Sequence, residues 1–308
     1  MSSTMSSTMS STARIDAPFG RLITAMVTPF KKDGEIDWDG VAKLAEHLAD
    51  SGHDAIAVNG TTGEAPTTKS SEKLEIIRVV KSTVGNRVKV LTGAGDNETS
   101  YTVEQAKRSA DAGVDGLLIV TPYYNKPPQA GIEAHFRAVA AATDVPIMMY
   151  DIPGRTGVEL EPDTICRLAE VKNIVALKDA KGNPASTSWV IKRSGIPVYS
   201  GDDILNLPLL SVGAVGFVSV CGHTVGKDLR EMLDVWFAGN AERALEIHQK
   251  LLPVYTGTFR TQGAILTKAA LTLMGLPGGF TRLPLVDATD AQIAQLREDL
   301  RAGGVPLK

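Results

Sequence analysis

The stretch Asn173-Ile174-Val175-Ala176-Leu177-Lys178-Asp179-Ala180-Lys181-Gly182 reads as a buried β-strand that ends on an ammonium group. Ile174 to Leu177 form the short apolar run expected of a strand covered on both faces, as in parallel sheets. Alternation along a strand puts Ile174, Ala176 and Lys178 on one face, and Val175 and Leu177 on the other. A lysine closing a core-facing row has two readings. Its head snorkels to water or pairs with Asp179, or it is held dry at a strand end for chemistry.

Outward from this strand the chain alternates strand and helix signals. Strands are predicted at 22–27, 55–59, 88–92, 116–120, 146–150, 174–178, 197–200 and 215–220. Amphipathic helices are predicted at 38–50, 71–84, 102–112, 131–142, 162–171, 185–193 and 205–212, with one long helix at 227–251. Asp37, Ser70 and Glu161-Pro162 suit helix starts, while Gly52, Gly85, Gly113 and Gly195 suit stops. Eight strand–helix pairs joined by short turns predict the α/β class and a closed (β/α)8 TIM barrel at 17–252. An open, doubly wound sheet is the competing fold, and it would leave edge strands to protect. Helices at 261–274 and 290–301, split by Pro277-Gly278-Gly279, exceed what a barrel needs. They predict a C-terminal helical extension at 253–308, with a role in assembly.

The 308 residues are 43% apolar and 22% charged, enough apolar matter for a large core. A net charge of −3 gives no reason to expect nucleic acid or an anionic membrane as partner. The longest apolar run, Val212–Cys221, is far short of the roughly 18 residues of a membrane span. Two cysteines, Cys166 and Cys221, lack metal or disulfide spacing and read as free thiols of a cytoplasmic protein. The M-S-S-T repeats at the N-terminus lack an apolar core, so residues 1–16 are expected to form a disordered tail and not a secretory signal.

In a barrel, chemistry sits where strands run out. The second strand ends on Gly60-Thr61-Thr62-Gly63-Glu64, whose N–H groups and hydroxyls suit a small carboxylate. That turn also serves as a plain cap for the next helix. The fourth strand ends on Thr121-Pro122-Tyr123-Tyr124-Asn125, where the two tyrosines also suit packing at an interface. The fifth ends on Tyr150-Asp151-Ile152-Pro153-Gly154-Arg155-Thr156-Gly157. Tyr150 shares the inward face with Met148 and reads as a proton shuttle or as a core tyrosine. Arg155 reads as a bidentate carboxylate clamp or as a surface arginine. A desolvated Lys178 would lose its proton near neutrality and attack a carbonyl to form a Schiff base.

These motifs, G-T-T-G-E at Gly60, T-P-Y-Y-N at Thr121, Y-D-I-P-G-R-T-G at Tyr150 and L-K-D-A at Leu177, carry a resemblance. From about Phe19 to Leu300 the chain resembles the dihydrodipicolinate synthase branch of the N-acetylneuraminate lyase superfamily. The resemblance implies a lyase using a lysine Schiff base, an eight-fold barrel with a helical extension, and a homotetramer built as a dimer of dimers. It implies condensation of pyruvate with L-aspartate 4-semialdehyde to 4-hydroxy-tetrahydrodipicolinate, the entry to diaminopimelate and lysine. Lys178 would carry the pyruvate imine, and Tyr150 would move protons, relayed through Thr61 to Tyr124. Tyr124 would cross a dimer interface into a neighbour's site. Thr62, the Val218 backbone and the Gly60–Gly63 turn would hold pyruvate, and Arg155 the semialdehyde carboxylate. No metal or organic cofactor is expected.

Arg155 separates this branch from the sugar-acid lyases, which keep the lysine and tyrosine but generally lack that arginine. Asp179 replaces a frequent glutamate, a minor change if it faces the helix layer. Lysine-inhibited relatives carry histidines and a glutamate where Ser70, Lys73 and Tyr101 stand, so feedback by lysine is expected to be weak or absent. Three rivals stand beside this reading. A pyridoxal-phosphate enzyme would need a phosphate loop, for which only Gly222–Gly226 is a candidate. A metal-dependent aldolase would need clustered ligands, and His47, His53, His135, His223 and His248 lack ligand spacing. An inactive barrel acting as a scaffold would have no need of the full set Lys178, Tyr150, Thr61, Tyr124 and Arg155.

Overall fold

The computed structural model describes residues 16–308. The opening stretch forms β6 (Ile174–Asp179) of a closed, all-parallel barrel. The other strands are β1 (Leu22–Ala25), β2 (Ala55–Val58), β3 (Lys89–Gly93), β4 (Gly116–Val120), β5 (Ile147–Asp151), β7 (Val198–Ser200) and β8 (Gly216–Ser219). Each pairs with its sequence neighbour, and β8 closes on β1 through Ile23 and Val218. The barrel replaces the open-sheet alternative. Of the tail expected at residues 1–16, residues 1–15 lie outside the described residues.

One alternation differs from expectation. Ala176 and Lys178 do face the barrel interior and Leu177 the helix layer, but Ile174 packs outside and Val175 leans inward. The cause is a register shift opposite Ile147 and Met148, where β6 carries one extra residue. Such a bulge inverts the facing of everything before it and leaves the strand end untouched.

Three apolar layers hold the barrel. Ile23, Ala57, Leu91, Leu118, Met148 and Ala176 fill its interior. Outward-facing strand residues such as Ile56, Val90 and Ile119 pack on helix residues such as Leu44, Ile77 and Phe136. A third cluster joins Leu22 and Phe217 to Leu229, Ile247, Leu266 and Leu300, so the C-terminal helices share a core with β1 and β8. The limit drawn between 252 and 253 falls inside the helix Ala241–Thr258.

The helix expected at 227–251 is two helices, Gly222–Phe237 and Ala241–Thr258. Gly239 adopts φ 91° between them, and the Asn240 side chain accepts from the Arg243 N–H at 3.0 Å to start the second. A Gly-Asn pair is stop and cap chemistry in sequence, overridden in the prediction by the apolar period on either side. Asp37 caps its helix as expected, accepting from Gly40 at 3.1 Å. Ser70 lies one residue inside its helix, which starts from Lys69 with the Glu72 carboxylate accepting from the Lys69 N–H at 2.7 Å.

Candidate active site

Parallel register sets the centre of the site. Tyr150 on β5 pairs with Lys178 on β6, so two inward-facing side chains leave neighbouring strands at one height. Lys178 Nζ lies 4.0 Å from the centroid of the Tyr150 ring. Lys178 is only 5% exposed. Burial pulls its amine down from 10.5 to about 7, with Asp203 opposing the shift and Arg155 adding to it. Burial likewise pushes the Tyr150 phenol up to about 12, so the ring arrives with its proton on. A neutral amine and a neutral phenol are therefore both accessible near neutral pH.

A cavity of about 290 Å³ opens above this pair. Gly60, Thr61, Thr62, Tyr150, Arg155 and Lys178 all contribute to its wall. Gly63, Tyr124 and Val218 do not. Gly63 lies behind the turn, where its carbonyl accepts from Thr28 Oγ1 at 2.8 Å. Val218 is buried in the barrel interior on β8. Tyr124 is 86% exposed and has φ 75°, with its N–H bound to the Thr156 carbonyl at 3.1 Å. Its backbone is pinned while its ring projects away from its own cavity. Tyr123 parts from it, lining the cavity and donating to Asp96 at 3.1 Å.

The Gly60–Gly63 turn is held at both ends by non-glycine residues in left-handed backbone, Asn59 at φ 57° and Glu64 at φ 56°. Asn59 Nδ2 donates to the Lys73 carbonyl and to Thr92 Oγ1, each at 3.0 Å. Arg155 rides a short helical turn, Pro153–Thr156, between this cavity and a second one of about 450 Å³ lined by Asp202, Ile204 and Tyr255. Below it, buried Asp151 accepts from the Leu160 N–H at 3.0 Å and pairs with Lys181 at 3.2 Å, fastening the loop's return. Burial raises the Asp151 carboxyl to about 6, against the pull of Lys181. Asp179 faces the helix layer as expected, accepting from Thr187 at 2.6 Å.

Two contributors were missed in sequence. Gly201, just past β7, abuts the lysine stem: a Cβ there would stand 2.8 Å from Lys178 Cε and 2.9 Å from Cγ. Asp203 is buried and ties the ends of β7 and β8, accepting from the Val220 and Cys221 N–H groups at 2.9 Å and from Ser219. Gly201-Asp202-Asp203 is a strand-end motif like those singled out, and it carries a signal of the same kind. Two of the histidines are spent on structure. His53 donates to the Leu48 carbonyl at 2.8 Å and accepts from Thr24 at 2.7 Å, while His223 accepts from the Val27 N–H at 3.1 Å.

A closed (β/α)8 barrel with a desolvated amine at its mouth, facing a phenol and an arginine, defines the class of lysine-centred barrel enzymes. Within that class the chain belongs to the dihydrodipicolinate synthetase family, which it matches over residues 18–303. It is 56% identical to 4-hydroxy-tetrahydrodipicolinate synthase 2 of Streptomyces coelicolor over 296 residues, covering 96% of this chain and 99% of that one. It is also 56% identical to the 4-hydroxy-tetrahydrodipicolinate synthase of Acidothermus cellulolyticus over 288 residues, covering 94% of each. The lysine-bound crystal structure of DHDPS from Cyanidioschyzon merolae superposes with a TM-score of 0.92 at 47% identity, covering 94% of this chain and all of that one. No helix among the described residues is long and apolar enough to cross a membrane.

Proposed function

We propose that the chain is a 4-hydroxy-tetrahydrodipicolinate synthase that condenses pyruvate with L-aspartate 4-semialdehyde through an imine on Lys178. The observation that carries this is the buried Lys178 amine, poised at about 7, in one cavity with Tyr150, Thr61, Thr62 and Arg155. The neutral amine adds to C2 of pyruvate, and the carbinolamine loses water to give the iminium. A proton leaves C3, and the iminium nitrogen takes up the electron pair to form the enamine. C3 then attacks the aldehyde carbon of the semialdehyde, whose oxygen gains a proton. The amino group of the semialdehyde next adds to C2 and expels Lys178, closing the ring and freeing the enzyme. The protein's own amine serves as the electron sink, so this chemistry requires neither metal nor organic cofactor.

In this reading Tyr150 gives and takes the protons of the imine steps, and its high pKa calls for a relay through Thr61. Gly60, Thr61 and Thr62, the part of the turn that lines the cavity, hold the pyruvate carboxylate through N–H and hydroxyl groups. Tyr124, turned out of its own cavity, completes the relay in a second copy, which makes a homo-oligomer, a tetramer in the family pattern, the working form. Arg155 takes the carboxylate of the semialdehyde; a polyhydroxylated sugar acid, the substrate of the alternative lyase reading, would not need a cation there. The free thiols Cys166 and Cys221 support a cytoplasmic location. The test is borohydride trapping with pyruvate, followed by peptide mass spectrometry. An adduct on Lys178, with turnover of aspartate semialdehyde, supports the proposal. Turnover of a sugar acid alone transfers the chain to the lyase branch, and no adduct in folded protein leaves the scaffold reading.

A further inference from the structure

Away from the cavity a second buried charge cluster ties the end of the chain to the Gly60–Gly63 turn. Glu64, which closes that turn, is 2% exposed. Its Oε1 accepts from Lys268 Nζ, and its Oε2 from the Arg282 N–H at 2.9 Å. Lys268 belongs to the extension helix Gly263–Leu273 and also donates to the Phe280 carbonyl at 2.5 Å. Arg282 grips Glu72 through two nitrogens at 2.9 and 2.7 Å and donates to the Thr67 carbonyl at 2.8 Å. Beneath both cations lies one ring: Phe30 is 4.4 Å from Lys268 Nζ and 4.2 Å from the Arg282 guanidinium carbon.

Stability alone is a poor account of such a cluster. A buried ion pair loses about as much in desolvation as it gains in attraction, and a packed apolar pair of similar volume often does as well. What charge-assisted hydrogen bonds add is direction, because each carboxylate oxygen is fixed by a donor in one place. Left-handed backbone at a non-glycine residue also persists only where its surroundings over-determine it. Glu64 meets that condition, since its N–H is bound to the Thr61 carbonyl at 3.1 Å and its carbonyl accepts from Thr68 Oγ1 at 2.9 Å. The side chain is thus clamped by the extension while the main chain belongs to the turn.

We infer that Glu64, Lys268 and Arg282 are positioning residues through which the C-terminal extension sets the Thr61–Thr62 turn for the carboxylate of the first carbonyl substrate. This rests on the pyruvate reading above. None of the three contributes to the cavity wall, and their effect passes through the backbone of a turn that does. The clamp therefore separates substrates: loosening it weakens pyruvate binding and leaves the Arg155 side of the cavity alone.

The test is a double variant, Glu64→Gln with Lys268→Met, which removes both charges and leaves no unpaired buried ion. The KM for pyruvate is expected to rise about tenfold or more, since misplacement of a binding group by an ångström costs that much or beyond. The KM for the semialdehyde should stay within about twofold of wild type, because its groups are not displaced. The pyruvate concentration for half-maximal borohydride trapping should rise with the KM, at unchanged saturating yield. Lys268→Arg, which still donates to Glu64, should retain wild-type binding. An unchanged pyruvate KM in folded double variant overturns the inference, as does an equal rise for both substrates. If the double variant does not fold, Glu64→Gln alone decides, because an amide has one oxygen and cannot accept from both Lys268 Nζ and the Arg282 N–H as the carboxylate does; a selective pyruvate effect supports the coupling and none overturns it. A wild-type protein that traps no pyruvate refutes the pyruvate reading itself, and the coupling with it, before any variant is made.

Discussion

Tyr150 and Lys178 stand in register on adjacent strands, and the ammonium nitrogen lies 4.0 Å from the centre of the phenol ring. Two effects on the amine oppose each other there. The ring face favours the cation by about 2 kcal/mol when desolvated, and burial favours the neutral form. Burial wins, because the amine sits at about 7 and not near 10.5. Imine formation needs the free amine, so the rate of borohydride trapping at subsaturating pyruvate should fall as pH drops through about 7. Below that point the loss should approach about tenfold for each further drop of one in pH. A trapping rate that is flat across this range would sink the claim that Lys178 is poised by burial.

The same depression of the amine's pKa bears on stability. The folded pKa of Lys178 lies below its unfolded value of 10.5, so the unfolded state binds the proton more tightly. Stability is lost as pH falls from 10.5 to about 7 and is level below that. Replacing Lys178 with Met removes this cost. The variant should be inactive yet more stable at neutral pH, by on the order of a few kcal/mol. Thermal unfolding across pH checks it: the gain should be largest at and below neutrality and shrink towards pH 10.5. A destabilised Lys178→Met would mean that the ammonium is held by contacts stronger than its desolvation.

Much of this was legible in sequence, for reasons of period and position. Eight apolar strands alternating with amphipathic helices allow few folds, and parallel strands place their chemistry at one end. That brought Thr61, Thr62, Tyr150, Arg155 and Lys178 together before any geometry was known. The facing of Ile174 was not legible, because a bulge is a property of two paired strands and one strand's sequence does not contain it. Gly201 was missed because its contribution is the absence of a Cβ beside Lys178, which becomes visible only when the two strands are adjacent. The Glu64–Lys268 pair joins positions 204 residues apart, and no local pattern marks it. Tyr124 is a different case. Its motif is plain in sequence, and its exposed ring lies outside the cavity wall of its own chain.

Arg155 separates the two cavities and offers a cation to both. Arg155→Ala should leave pyruvate trapping on Lys178 intact while lowering kcat/KM for the semialdehyde. A charge-assisted hydrogen bond contributes about 1.5–3 kcal/mol, so the loss should be on the order of ten- to a hundredfold. Arg155→Lys should recover only part of it, because a point charge cannot reproduce the guanidinium fork. Steady-state kinetics with each substrate varied gives the answer. An equal loss for pyruvate would return Arg155 to a general electrostatic role.

Free lysine should be a weak inhibitor. Lys73 lines the cavity wall partly buried, and burial lowers its pKa against the pull of Asp96. Any remaining charge on it repels an incoming ammonium. Tyr101 supplies no carboxylate and is engaged with Ser70 at 3.0 Å, while Asp96 already accepts from Tyr123 at 3.1 Å. A lysine titration of the condensation rate is the direct check. Inhibition at submillimolar lysine would show that this cleft accepts the effector by other contacts.

Gly201 gives the sharpest test of how narrowly the lysine is held. A methyl group at this position would stand 2.8 Å from Lys178 Cε and 2.9 Å from Cγ, closer than side-chain carbons approach one another. It would also meet Ala180 Cβ at 3.1 Å, so the new carbon has no free side to turn to. The backbone there does not need glycine's positive φ, since Gly201 is absent from the left-handed glycines among the described residues. Steric displacement of the lysine stem is therefore the main consequence, and overpacking of this kind costs about 1–3 kcal/mol in stability. Gly201→Ala should fold with a modestly lower Tm and show a drop in kcat of about a hundredfold as Nζ leaves its place. The fraction of Lys178 trapped by borohydride at saturating pyruvate should fall in parallel. A variant with normal trapping and normal kcat would show that the lysine stem has room the structure denies it.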